Sequence, residues 1–192
     1  MTERIFFTGV PGSRWSGIAQ IIEDNVPGFN TSDRDSSKEY MHHAFTGHKG
    51  AYFGIGMEFD ATLSDPVYLD SPWKEPGGKR LLKSHDWALM LDQIKETYPN
   101  DKIMLVYRPD MISYGWWHEA GGFQIKYPDY SAYKDSTTML AAIMEQNKCI
   151  LKFARKHGAV WHHFGSVFVK QNFDTVIDEV DDRYTDCLVT II

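Results

Sequence analysis

The sequence predicts an α/β fold, a three-layer sandwich with a mainly parallel central sheet. Three observations predict it. Short apolar runs at residues 5–8 (IFFT), 80–83 (RLLK) and 102–107 (KIMLVY) have the length and continuity of strands buried on both faces. Stretches with helical spacing stand between and after them, at 15–23, 87–98 and 138–157. Strands that alternate with helices are joined by crossovers, which make neighbouring strands parallel. The 192 residues, 43% of them hydrophobic, suffice for one domain with a sizeable core over residues 1–192.

The elements follow in order. Residues 5–8 are the first strand, and the helix at 15–23 turns Ile18, Ala19, Ile21 and Ile22 toward the core. Pro27-Gly28 closes this unit. Ser36 or Ser37 caps a short helix reaching Phe45, since Ser36 and Glu39 have the capping-box spacing. Residues 46–66 are a glycine-rich loop of the kind that lines sites. A turn region at 70–78 leads into the strand at 80–83, and Ser84 or Asp86 caps the helix at 87–98. The strand at 102–107 stops at Arg108-Pro109, because proline cannot donate to a ladder. Residues 111–133 are rich in aromatics and glycine. Ser136 or Thr137 starts the helix at 138–157, and Gly158 follows as its terminator. Residues 159–164 and 167–169 read as strands, Asn172 or Asp174 opens a last helix, and 187–192 is apolar and either strand or helix.

A formal charge of −6 excludes the broad basic face of a nucleic-acid binder, though not a local basic pocket for one anionic nucleotide. No apolar run approaches the roughly 18–20 residues that span a membrane. No signal peptide is expected, because Met1 to Arg4 lead straight into a strand, so the expected location is cytoplasmic. Cys149 and Cys187 offer neither a disulfide framework nor a metal pattern. His42, His43 and His48 have no acidic or thiol neighbour at ligand spacing, so no metal site is expected.

In this architecture ligands bind outside the carboxyl ends of the strands. Three polar groups fall there. Pro11, Gly12, Ser13, Arg14, Trp15 and Ser16 follow the first strand and run into a helix, the arrangement that turns unpaired N–H groups toward an anion. The nucleotide loop GxxxxGK[ST] is not matched, since Arg14 stands five residues after Gly9. Lys83-Ser84-His85 close the second strand with a cation, a hydroxyl and an imidazole, and Arg108 closes the third.

With these motifs the chain resembles the sulfotransferases that use 3′-phosphoadenosine-5′-phosphosulfate (PAPS). Their first loop is of the type PxSGTTW. Pro11 and Ser13 match it, Ser16 falls on its second hydroxyl position, its basic residue falls on Gly12, and its glycine falls on Arg14. Lys83-Ser84-His85 match the family's K[TS]H segment without a gap, and KIMLVYR matches the strand that ends in the arginine holding the 3′-phosphate. Ser113 resembles that arginine's partner serine on the following helix, at a shorter spacing. The family's later basic segment has no recognisable counterpart; Lys152, Arg155 and Lys156 are the residues weighed in its place. The resemblance covers residues 5–23 and 80–113.

The resemblance implies a P-loop-like topology and transfer of a sulfuryl group from PAPS to a hydroxyl of a small molecule or carbohydrate. It implies His85 as general base, with Lys83 and Arg14 offsetting charge. Pro11, Gly12, Ser13, Arg14, Trp15, Ser16, Arg108 and Ser113 would bind the donor. No metal ion is required. Residues 47–57 and the aromatics Trp116, Trp117 and Tyr127 would enclose the acceptor, with polar contacts from His118, Glu119 and Lys126. The plainer alternative is that these aromatics fill the core and a homodimer interface. Two other functions stay open: a non-catalytic nucleotide-binding protein with a degenerate loop, and a small-molecule or nucleoside kinase. The kinase calls for a GK[ST] loop and an acidic magnesium ligand, neither of which is apparent.

Overall fold

Ile5, Phe6 and Phe7 are at most 1% exposed, so the first strand is covered on both faces. A computed structural model of the chain describes residues 2–33, 40–43, 48–50, 66–125 and 134–192. In it β1 (Thr2–Gly9) is central to a five-stranded sheet with β4 (Gly78–Lys83), β5 (Lys102–Tyr107), β6 (His162–His163) and β7 (Leu188–Ile191). The spatial order is β4-β1-β5-β7-β6. β1 runs parallel to β4 and β5, with Phe7 beside Lys83 and Gly9 beside Val106. A separate hairpin joins β2 (Tyr40–His43) to β3 (His48–Gly50).

Strand alternation divides the core into two clusters. Phe6, Leu82, Ile103 and Leu105 pack with α3 (Leu91–Thr97), α4 (Asp110–Glu119) and the long α5 (Ser136–Lys156) through Leu91, Ile94, Trp117, Met139, Ile143 and Phe153. Ile5, Phe7, Leu81, Met104 and Val106 pack with α1 (Trp15–Asn25) and α6 (Ser166–Phe173) through Trp15, Ile18, Ile22, Phe168 and Val169. Helices therefore cover both faces of the sheet. The short α2 (Pro66–Asp70) brings Asp70 to Arg4 and Arg80, tying β1 and β4 together near their amino ends.

Several expectations need correction. The centre of the sheet is parallel as expected, but the sheet as a whole is mixed, because β7 is antiparallel to both β5 and β6. The reason lies in the return path: Asp174, in the left-handed conformation (φ 50°), ends α6, and the chain climbs back so that β7 enters at the carboxyl edge. Residues 167–169 belong to α6, where burial of Phe168 and Val169 outweighs the strand preference of valine. Asp174 closes that helix and does not open one. Residues 159–164 contribute only a two-residue strand. The segment 87–98 is divided at Met90 into a 3₁₀ turn (Asp86–Leu89) and α3. Residues 40–43, expected in a helix, form β2; the predicted caps Ser36 and Ser37 and most of the glycine-rich loop lie outside the described residues. The apolar tail at 187–192 resolves as β7. Among the described residues no helix is long and apolar enough to cross a membrane.

Candidate functional site at the carboxyl edge of the sheet

Parallel pairing of β4, β1 and β5 brings the three predicted segments to one edge. After Gly9 the chain turns sharply, the Ser13 N–H donating to the Val10 carbonyl at 3.0 Å. Gly12 (φ +77°) and Arg14 (φ +63°) both take left-handed conformations, and α1 starts at Trp15. Gly12 lies against α4: a Cβ there would stand 1.9 Å from the Ser113 carbonyl oxygen. No side chain fits there without a shift of the α4 backbone.

The loop carries polar groups without protein partners. Ser13 is fully buried, and its Oγ has no hydrogen-bond partner among the described residues; the same holds for the buried Nε of Arg14. The Arg14 guanidinium lies over the Trp116 ring, 3.8 Å from its centroid. Burial, and then the neighbouring charge of Arg108, lower its pKa from the ordinary arginine value. The first N–H groups of α1 lack intrahelical acceptors for the usual reason. A buried hydroxyl, an arginine with no ion pair among the described residues and a helix N-terminus together suit an oxyanion.

His85 stands beside this loop. It is 2% exposed, its ring packs on Trp15 at 4.2 Å between centroids, and its Nδ1 makes a very short contact with the Gly9 carbonyl. Only a protonated Nδ1 can donate to a carbonyl, so in the neutral ring Nε2 holds the lone pair. Trp15 also stacks on Phe7, and Ser84 Oγ accepts from the Asp86 N–H at 3.2 Å. Ser16, in the first turn of α1, is half-buried.

Lys83 has a different partner from the one expected. Its Nζ donates to both carboxylate oxygens of Glu23 on α1, at 2.7 and 2.8 Å, and both side chains are at most 2% exposed. Its charge is thus balanced by Glu23 inside the protein. Glu23 escaped the sequence reading, although a carboxylate four residues after Ala19, on the buried stripe of α1, is the signal that marks it.

Arg108 is also engaged. Its Nε and Nη2 donate to Asp186 Oδ2 at 3.0 and 2.7 Å, and its Nη1 donates to the Gly12 carbonyl at 3.0 Å. Burial acts to raise the Asp186 pKa, but the hydrogen bond and charge of Arg108 outweigh it and hold the carboxyl below its ordinary range. Ser113 is fully buried and donates to the Arg108 carbonyl at 3.2 Å, beside Asn147 Nδ2 at 2.9 Å. Arg108, Ser113, Gly12 and Arg14 are therefore together. Asp186 and Asn147 were missed, and nothing in their local sequence singles them out.

The remaining expectations divide. Trp117 is 2% exposed and belongs to the core, Trp116 lies under Arg14, and His118 Nε2 meets the Tyr114 hydroxyl at 2.8 Å. Lys126, Tyr127 and residues 51–57 lie outside the described residues. Lys152 and Arg155 line a cavity of about 730 Å³ with Tyr107, Asp110, Met144 and Asn147, whereas Lys156 pairs with Asp92. Among the described residues no three His, Cys, Asp or Glu side chains are grouped to hold a metal ion. The chain matches no family model, and no curated protein or solved structure matches it.

Proposed function

We propose that the chain is a sulfotransferase that moves a sulfuryl group from PAPS to a hydroxyl of a small-molecule or carbohydrate acceptor. The observation that carries this reading is His85: its Nδ1 is tethered to Gly9, the last residue of β1, where the Gly12–Arg14 turn begins. A mere binding loop needs no oriented imidazole at that point.

His85 Nε2 takes the acceptor's proton as the acceptor oxygen bonds to sulfur. The bond from sulfur to the bridging oxygen of the 5′-phosphate breaks, and adenosine 3′,5′-bisphosphate leaves. Arg14, the Ser13 hydroxyl and the first N–H groups of α1 meet the negative charge on the donor. The chemistry is positioning and electrostatic stabilisation, as in phosphoryl transfer. Lys83, held by Glu23, then acts on the shape of the strand end and leaves the developing charge to Arg14. A second reading has its own support. With Lys83 held by Glu23 and Arg108 by Asp186, the chain is a nucleotide-binding protein without transfer activity.

Two measurements separate them. Thermal stabilisation by adenosine 3′,5′-bisphosphate without magnesium, exceeding that by ATP with magnesium, is expected for both. Release of bisphosphate from PAPS over a panel of phenols and sugars is expected for the enzyme alone, with His85→Ala lowering turnover about 10²-fold or more at saturating donor. Unchanged turnover in that variant removes His85 from the reaction. Stabilisation by ATP and magnesium only would favour a kinase.

A further inference from the structure

The segment after α6 returns past the Gly12–Arg14 turn and meets it, α1 and Arg108. A Cβ at Gly17, in the first turn of α1, would stand 2.2 Å from the Tyr184 hydroxyl, so that hydroxyl packs against the first turn of α1. The Tyr184 ring centroid is 6.0 Å from the Arg14 guanidinium carbon. The Cys187 Sγ lies 3.5 Å from the Ser13 carbonyl oxygen, and Asp186 takes two N–H groups of Arg108. The side-chain exposures are unequal: 6% for Arg108 and 37% for Asp186. The carboxylate is thus the more solvent-exposed member of the pair, and an anion arriving from solvent meets it before the guanidinium.

The geometry points to Asp186 as an internal occupant of the anion site: its carboxylate holds Arg108 until a phosphate monoester displaces it, and residues 182–187 move with it as a cover. This rests on reading the turn and Arg108 as an oxyanion site. Arg14 and Arg108 are like charges set close together; Asp186 hydrogen-bonds Arg108, and its charge also reaches Arg14. A phosphate monoester carries nearly two negative charges and offers three acceptor oxygens, so it can engage both arginines where Asp186 engages one. Asp186 therefore sets a threshold. Weakly charged or singly coordinating anions do not displace it, whereas a terminal phosphate does.

The test is the affinity of inorganic sulfate, inorganic phosphate and adenosine 3′,5′-bisphosphate for wild type, Asp186→Asn, Arg108→Ala and the double variant, by calorimetry. A protein whose competent form is a minor fraction binds more weakly by that fraction. Asp186→Asn is expected to bind the bisphosphate about tenfold tighter or more. The double variant should bind like Arg108→Ala. Equal or weaker binding by Asp186→Asn, with wild type binding normally, overturns the inference and leaves the oxyanion site standing. Absence of binding in wild type and every variant overturns the oxyanion site and the inference with it. Amide exchange in wild type decides the matter even if the variant does not fold. Saturating bisphosphate should speed exchange at residues 182–187, and slower exchange there overturns the inference.

Discussion

At Gly12 two constraints coincide, a φ of +77° and an α4 carbonyl where a Cβ would be. Gly12→Ala should lower stability by roughly 2–4 kcal/mol, since left-handed strain and overpacking add. Urea denaturation checks this, and a loss within 0.5 kcal/mol, roughly the surface-substitution range, would mean that the turn relaxes away from α4. At this scale the sequence was informative about which residues to watch and silent about their partners. Residue types at strand ends are visible as a pattern, so Ser13, Arg14, His85 and Arg108 stood out. Glu23 and Asp186, which bind two of the predicted cations, lie 60 and 78 residues from them in the chain. Nothing local encodes such distant pairing.

Among the elements, legibility follows length and burial. α5 was readable because 21 residues repeat one apolar stripe, and β5 because KIMLVY is continuous. α6 was not, since eight residues with three valine or phenylalanine positions in a row satisfy a strand pattern as well as a helix. α4 was not assigned because its apolar and polar residues are not separated into faces; Ser113 and Trp117 alone are buried. α5 begins at Ser136, one of the two expected starting residues, and Asp135 caps it by accepting from the Thr138 N–H at 2.8 Å. That bond holds the Asp135 carboxyl below its ordinary range. Its stabilisation is complete above the unfolded pKa of about 3.9 and is lost as pH falls through the lower folded value. Asp135→Ala should therefore lower the melting temperature by a few degrees at pH 7. It should have progressively less effect in acid, where calorimetry of both proteins at falling pH should converge. A constant difference would place the effect elsewhere.

For the molecule as a whole, the buried Glu23–Lys83 pair clamps α1, and with it the Gly12–Arg14 turn, to β4. Glu23→Gln leaves an ammonium without its counter-charge and should cost about 3–5 kcal/mol. Glu23→Leu combined with Lys83→Met should come close to wild type in the same denaturation experiment. A double variant as unstable as the single one would show that the pair has no apolar substitute. Alternation of strands and helices made the α/β class and its parallel centre legible, because crossovers dictate strand direction. The direction of β7 was not legible, because it depends on a return path of irregular backbone.

The position of β7 has a consequence for the order of assembly. In the described sheet β6 neighbours β7 alone, yet β7 is synthesised after it. β6 and α6 thus wait for a later segment, while β4, β1 and β5 already have one another. Non-local pairings of this kind are the slow ones, since the chain must close a loop before any contact rewards it. The Gly12–Arg14 turn and His85 lie at the ends of β1 and β4, whereas Tyr184 and Asp186 lie in the later segment that leads into β7. During folding, then, the Gly12–Arg14 turn precedes the pairing of Arg108 with Asp186, which waits for the segment that leads into β7.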